Sequence, residues 1–332
     1  MRQVLPLVFL AAAGAVRAGA LFDEEPVLDV RLAGPLHAVL ESGAERMEFP
    51  FIVSVDGVDI PVEVRIRGNS RLRVCSFPPL RLDFPGKGTA GSVFDGQDKL
   101  KLVTHCNDRK RDAGNLLDEY LAYRLFNLVS DDGYRVRLLR MAYVDTDSTG
   151  LAALVRDAFL IESDEALAAR RGAAVLDTPG VALSRLDGRQ AALVYVFQYL
   201  IGNTDWSLVT AETADACCHN VDLYERDGRT LPVPYDFDLA GLVHASYARP
   251  DASLKIASVR TRRYRGYCIS SDDLAAAIDA VTLREADILA LAAELPAASE
   301  EARRKRREYL GEFFADAADR EELLEQFEKR CL

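Results

Sequence analysis

The chain has 332 residues, 49% of them hydrophobic and 28% charged, which is the balance of an ordinary globular protein and excludes a disordered one. Lys and Arg number 41 against 52 Asp and Glu, a formal charge of -11, and this argues against a nucleic-acid binder, which would carry a basic surface. The six cysteines, Cys75, Cys106, Cys217, Cys218, Cys268 and Cys331, form an even set suited to disulfides. The adjacent Cys217-Cys218 lacks the C-x-x-C spacing of zinc or thioredoxin-like chemistry.

The first twenty residues read as an export signal. Arg2 is followed by the apolar stretch Val4 to Val16, and Ala18-Gly19-Ala20 offers a small-residue cleavage site. Arg17 ends the apolar stretch short of the roughly 20 residues a membrane span needs. Later in the chain, Ala191 to Ile201 is bounded by Arg189 and Asp205, so no transmembrane segment is expected after the signal is removed. The expected location is periplasmic or extracellular.

From Val27 to Phe84 short strand-like runs alternate with turn signals. Phe49 to Val55 and Ile60 to Ile66 flank Asp56-Gly57, a hairpin dipeptide, and the second run ends in Gly68-Asn69-Ser70. Leu80 to Phe84 and Lys99 to Val103 are further strands. Asn115 to Val129 carries Leu117, Tyr120, Leu121, Leu125 and Leu128 at helical spacing. Strand patterns return over Arg137 to Val144 and Ala152 to Ile161. Helix follows over Asp164 to Arg171 and Gln190 to Ile201, and several amphipathic helices fill the tail from Asp273. The run Arg303 to Arg307 reads as a solvated helix face. These patterns predict an α+β protein with a β-rich lobe over residues 21–162 and a mainly helical lobe over 163–332.

Three polar stretches in the second half carry chemistry. Tyr195 to Ile201 runs into Gly202-Asn203-Thr204-Asp205-Trp206-Ser207, then comes His219-Asn220, and then Pro234-Tyr235-Asp236-Phe237-Asp238. Asp227-Gly228 is a hairpin turn between the last two, so Asn220 and Asp236 fall at the same end of paired strands. One Asp to deprotonate a hydroxyl, with an Asn and a second Asp to hold a divalent ion, is the set that phosphoryl transfer uses. Magnesium takes hard oxygen ligands and needs only one or two protein carboxylates. His219 receives no role on sequence grounds, and Trp206 reads as packing. No G-x-S-x-G occurs, which disfavours a serine hydrolase.

Four segments in order resemble the CotH kinase-like family, named after spore-coat protein H: Arg67-Gly68-Asn69-Ser70, Gly202-Asn203-Thr204-Asp205-Trp206, Asn220, and Asp236-Phe237-Asp238. The resemblance runs from about Val62 to Leu239 and implies an atypical two-lobed protein kinase-like fold. It implies Asp205 as the catalytic aspartate and Asn220 and Asp236 as ligands of Mg2+ or Mn2+. Asp238 would be a further ligand or a support for its loop. ATP would be the phosphate donor and a hydroxyl, on an unknown protein, the acceptor. Arg67, Gly68, Asn69 and Ser70 would approach the nucleotide, and Glu119 would pair with a cation that touches its phosphates. Where the family places lysines, this chain has Phe77-Pro78-Pro79-Leu80-Arg81-Leu82-Asp83, which leaves Lys101, Lys99 or Arg81 for that role.

Two other readings stand beside the kinase. A non-catalytic envelope or surface scaffold would use the same fold without needing its acidic residues. A metal-dependent phosphohydrolase would use the acidic cluster on water, but lacks the histidines such sites often hold.

Overall fold

The structure is a computed structural model that describes residues 21–332 except 24–25, 87, 148–152, 179, 209–217 and 296–298. The expected signal peptide, residues 1–20, and Cys217 lie outside the described residues. Among the described residues no helix is long and apolar enough to cross a membrane.

The α+β class holds, and the β-rich part has a definite form: seven strands close into a barrel. They are β1 (Leu28–Gly34), β2 (Phe49–Val55), β3 (Val58–Ile66), β4 (Leu80–Asp83), β5 (Lys99–Val103), β6 (Val136–Asp145) and β7 (Leu154–Ile161). Their spatial order is β1-β2-β3-β4-β5-β7-β6, and closure comes from β1 lying parallel to β6, with Leu28 opposite Leu139 and Gly34 opposite Asp145. The β2–β3 hairpin turns at Asp56 and Gly57, both in the left-handed region with φ of 49° and 80°, as the sequence predicts. Strand alternation then divides the side chains. Val53, Val62, Val64, Leu80, Leu100, Leu102, Met141 and Leu160 fill the barrel, while Val103, Val136, Leu138, Phe159 and Ile161 face out.

Those outward residues meet α2 (Lys110–Val129), whose Tyr120 and Tyr123 rings sit 5.8 and 5.7 Å from the ring of Phe159. The second core begins here. It also takes α3 (Asp164–Arg171), α4 (Gly188–Leu200), the hairpin β9 (Val221–Arg226) and β10 (Arg229–Pro234), and α5 (Ser271–Thr282), α6 (Glu285–Glu294), α7 (Glu300–Ala317) and α8 (Arg320–Glu328). A short helix α1 (Leu36–Glu41) and a two-residue strand β8 (Ala174–Val175) complete the elements, β8 pairing with β9. Glu162, the expected junction, is buried and pairs with Arg170 at 2.9 Å.

Local signals explain the helix limits. Ser163 caps α3 by accepting from the Ala166 N–H, and Gly172 ends it at φ 62°. Asp187 caps α4 by accepting from the Gln190 N–H. Buried almost throughout, α4 packs between α5 and β10 and delivers its C-terminus to the Gly202 loop. Two disulfides join Cys75 to Cys106 and Cys268 to Cys331, and no described cysteine is free.

Candidate functional site

The polar stretches of the second half converge. The Gly202–Trp206 loop leaves α4 at Gly202, whose φ is 63° and where a Cβ would lie 1.9 Å from the Tyr309 hydroxyl, so glycine is required. Trp206 anchors the loop: it is buried, stacked on Tyr195 at 5.6 Å, and donates through Nε1 to the Asn203 carbonyl at 3.2 Å. The Asn203 side chain in turn accepts from the Asp205 N–H at 3.0 Å. Asp205 is thereby held on a rigid turn.

Asn220 stands next to it. Its Nδ2 donates to Asp205 Oδ2 at 2.9 Å and to the Asp205 carbonyl at 2.7 Å. Both donor bonds point the amide nitrogen at Asp205, which leaves Oδ1 on the other side as a hard oxygen. The Asn220 carbonyl accepts from the Tyr235 N–H at 3.1 Å, so the open end of the β9–β10 hairpin places Asn220 beside Asp236. Both residues are left-handed, with φ of 54° and 56°, a costly backbone state that recurs at functional positions. The Asp236 N–H donates to Tyr123 Oη of α2 at 2.9 Å.

The opposite wall comes from the segment after β3. Arg71, 6% exposed, places Nη2 2.7 Å from Glu119 Oε2 and 3.3 Å from Asp236 Oδ1, and Nε 2.9 Å from Asp238 Oδ2. Tyr247 Oη donates to the same Asp238 oxygen at 2.9 Å. Burial disfavours charge on Arg71, but Asp238 first and then Glu119 outweigh it, and the guanidinium is held protonated. Burial likewise pushes the Glu119 and Asp238 carboxyls upward, with Arg71 opposing the shift in each. Burial lowers the pKa of Arg67, and Asp236 pulls it back up. The Cys75–Cys106 disulfide ties this segment to the connection between β5 and α2, and the Cys75 N–H donates to the Arg71 carbonyl at 2.9 Å.

Three sequence expectations change. Lys101 does not meet Glu119: Leu100 and Leu102 point into the barrel, so Lys101 points out, where it pairs with Asp164 at 2.9 Å and lies over the rings of Tyr134 and Tyr235. Lys99 pairs with Asp83 at 3.7 Å. The cation on Glu119 is Arg71, one residue beyond Arg67-Gly68-Asn69-Ser70. Gly68, Asn69 and Ser70 form an exposed turn, with Arg46 donating to the Gly68 carbonyl and to Asn69 Oδ1, so Arg71 and not the turn itself reaches the carboxylates. Asp238 spends its Oδ2 on Arg71 and Tyr247, the arrangement of a support.

Besides Arg71, sequence reasoning missed two residues. His219, set aside as scaffolding, has Nε2 3.0 Å from Asp205 Oδ1; that hydrogen bond raises its pKa, against the effect of burial. Arg306 of the supposedly solvated run is buried and binds Asp118 of α2, the residue before Glu119.

Among the described residues no three His, Cys, Asp or Glu side chains converge as metal ligands. A magnesium ion that keeps waters and phosphate oxygens needs fewer, and Asn220 Oδ1 with the Asp236 carboxylate supplies a hard-oxygen pair of the right kind. The cavity behind Arg71, lined by His105, Asp112, Glu119, Asp238 and Tyr247, holds only about 10 Å³ and has no room for a nucleotide.

No family model matches the chain, and no curated protein matches it. Among solved structures it is similar to the Helicobacter pylori proinflammatory kinase CtkA, at 10% identity and a TM-score of 0.39 over 71% of this chain and 86% of that one. It is also similar to the HipA, HipB and operator DNA complex of the Shewanella oneidensis MR-1 toxin–antitoxin system, at 13% identity and a TM-score of 0.35 over 76% of this chain and 65% of that one. At these TM-scores neither likeness assigns this chain a fold family or an activity.

Proposed function

We propose that this chain is an exported, CotH-like kinase of two-lobed, kinase-like fold, which transfers phosphate from ATP to a hydroxyl group, on a protein acceptor, with Mg2+ or Mn2+. The observation that carries this reading is the joining of five separate segments in one network. Asp205 bonds Asn220, Asn220 meets the backbone of Tyr235 just before Asp236, and Arg71 links Asp236 and Asp238 to Glu119 of α2.

Each residue has a task in that reading. Asp205 takes the proton of the attacking hydroxyl as the new P–O bond forms and the bond to the bridging oxygen of the donor breaks. Asn220 fixes the carboxylate by donating to Oδ2, and Asn203 fixes the backbone beneath it. Asn220 and Asp236 would hold the divalent ion, which would supply charge neutralisation at the phosphate oxygens. Arg71, oriented by Glu119 and Asp238, replaces the lysine that kinases place against the phosphates. The tying of the Arg71 segment by Cys75–Cys106 and the bridging of Cys268 to Cys331 support export to an oxidising compartment.

Calorimetric titration of ATP with magnesium into the disulfide-intact protein tests the proposal, with Asp236→Ala alongside. Magnesium-dependent binding that the variant loses is the expected result. Absence of binding by the wild-type protein refutes the ATP kinase and favours the non-catalytic scaffold.

A further inference from the structure

The three carboxylates around Arg71 are not equivalent. Glu119 and Asp238 are buried, with side chains 4% and 6% exposed, and hold the guanidinium at 2.7 and 2.9 Å. Asp236 is 42% exposed and holds it at 3.3 Å. The contact to Asp236 is therefore the longest and the wettest of the three, and the weakest electrostatically, because water screens it. Arg71 Nη2 is shared between Glu119 and Asp236, so Arg71 can release Asp236 without losing either of its tighter partners.

Asp236 also follows Tyr235, whose N–H donates to the Asn220 carbonyl at 3.1 Å, so it is the carboxylate next to Asn220 at the open end of the hairpin. Its Oδ1, pointed at Arg71, is one of the two oxygens it would offer to a divalent ion. A +1 guanidinium 3.3 Å from that oxygen both occupies the oxygen and repels an incoming dication. We propose that Arg71 and the divalent cation compete for Asp236, so that this carboxylate has two partners: Arg71 in the metal-free protein and the ion in the loaded one. The inference rests on the metal reading of Asn220 and Asp236 given above. It makes Arg71 a positioning residue that sets the affinity of the ion as well as the orientation of Glu119. Because Cys75–Cys106 ties down the Arg71 segment four residues along the chain, release of Asp236 requires only side-chain movement.

The test is Mn2+ binding to the full, disulfide-intact protein without nucleotide, followed by electron paramagnetic resonance of the free ion. Arg71→Met/Glu119→Gln removes one positive and one negative charge together, so it leaves the local formal charge unchanged, and Asp238 loses its cation but keeps the hydrogen bond from Tyr247. The double variant is expected to bind Mn2+ roughly tenfold more tightly than wild type. Asp236→Asn added to either background is expected to abolish that binding. Equal or weaker binding by the double variant, with dependence on Asp236 retained, overturns the competition while leaving the metal site standing. Binding that ignores Asp236→Asn overturns both. If the double variant fails to fold, Arg71→Lys replaces it: an ammonium, a point charge without the planar fork, cannot hold all three carboxylates at once, and Mn2+ must then bind more tightly than in wild type, or the proposal fails.

Discussion

Replacing Arg71 with Met removes the one guanidinium that three carboxylates share, and the cost should depend on pH in a sign-definite way. Glu119 and Asp238 are buried, so without Arg71 neither remains ionised; folding then requires each to take up a proton. Burial already raises Glu119 to about 8 and Asp238 to about 6 with Arg71 in place, so the variant's extra cost over wild type comes mainly from Asp238 and accrues above about pH 6 at about 1.4 kcal/mol per pH unit, about 3 kcal/mol at pH 8 and close to none at pH 5. The figure at pH 8 lies at the lower end of the roughly 3–5 kcal/mol lost when one partner of a buried pair is removed. The direction follows from linkage: a carboxyl whose folded pKa is raised contributes fully below its unfolded pKa, and that contribution is lost as pH rises toward the folded value. Arg71→Met should therefore be clearly destabilised relative to wild type at pH 8 and nearly tolerated at pH 5. Urea unfolding of variant and wild type at pH 5, 6, 7 and 8 gives the difference directly. A stability loss that is the same at pH 5 and pH 8, or absent at pH 8, would refute the view of Arg71 as the counter-ion of buried carboxylates.

The other predictions concern the clips, the glycine of the loop and the choice of cation. Removing Cys75–Cys106 as a Cys→Ala pair should cost about 3.7 kcal/mol and removing Cys268–Cys331 about 4.3 kcal/mol, from the loop entropy of separations of 31 and 63 residues; urea unfolding that ranks the two in reverse would contradict the entropic account. Gly202→Ala places a Cβ against the Tyr309 hydroxyl in a left-handed backbone, a loss of roughly 2–4 kcal/mol, and Tyr309→Phe in the same chain should return part of it by removing the clashing oxygen. For nucleotide binding measured by calorimetry, Lys101→Met should cost less than Arg71→Lys, since Lys101 faces Asp164 and Arg71 faces Glu119. The reverse order would restore Lys101 to the phosphate-binding role.

Elements governed by their neighbours in sequence were legible. The turns Asp56-Gly57 and Asp227-Gly228, the helix Asp164 to Arg171 and the alternation of β3 all state their geometry within a few residues. The hairpin logic brought Asn220 to Asp236, and the loop after α4 supplied Asp205. Barrel closure was not legible, because β1 pairs with β6 more than a hundred residues later and neither strand names its partner. The same limit hid Arg71. Which cation meets Glu119 depends on how the segment after β3 is drawn toward α2, and that is fixed by Cys75–Cys106, a connectivity that six cysteines leave open.

Arg306 failed for a different reason, and the reason bears on the site. A run of basic residues was read by charge alone, but Arg306, Tyr309, Leu310 and Phe313 fall at i, i+3, i+4 and i+7, the buried stripe of α7. Helical periodicity outranks charge here because a guanidinium can be buried when a carboxylate is waiting, and Asp118 of α2 is that carboxylate. Asp118 and Glu119 are consecutive and so project about 100° apart around the helix. Arg306 holds the first and Arg71 the second, one from the C-terminal helices and one from the barrel side. Two arginines on adjacent residues fix the rotation of α2 about its axis, and with it the direction in which Glu119 faces Asp236. The residues that sequence reading left aside thus orient those that it found.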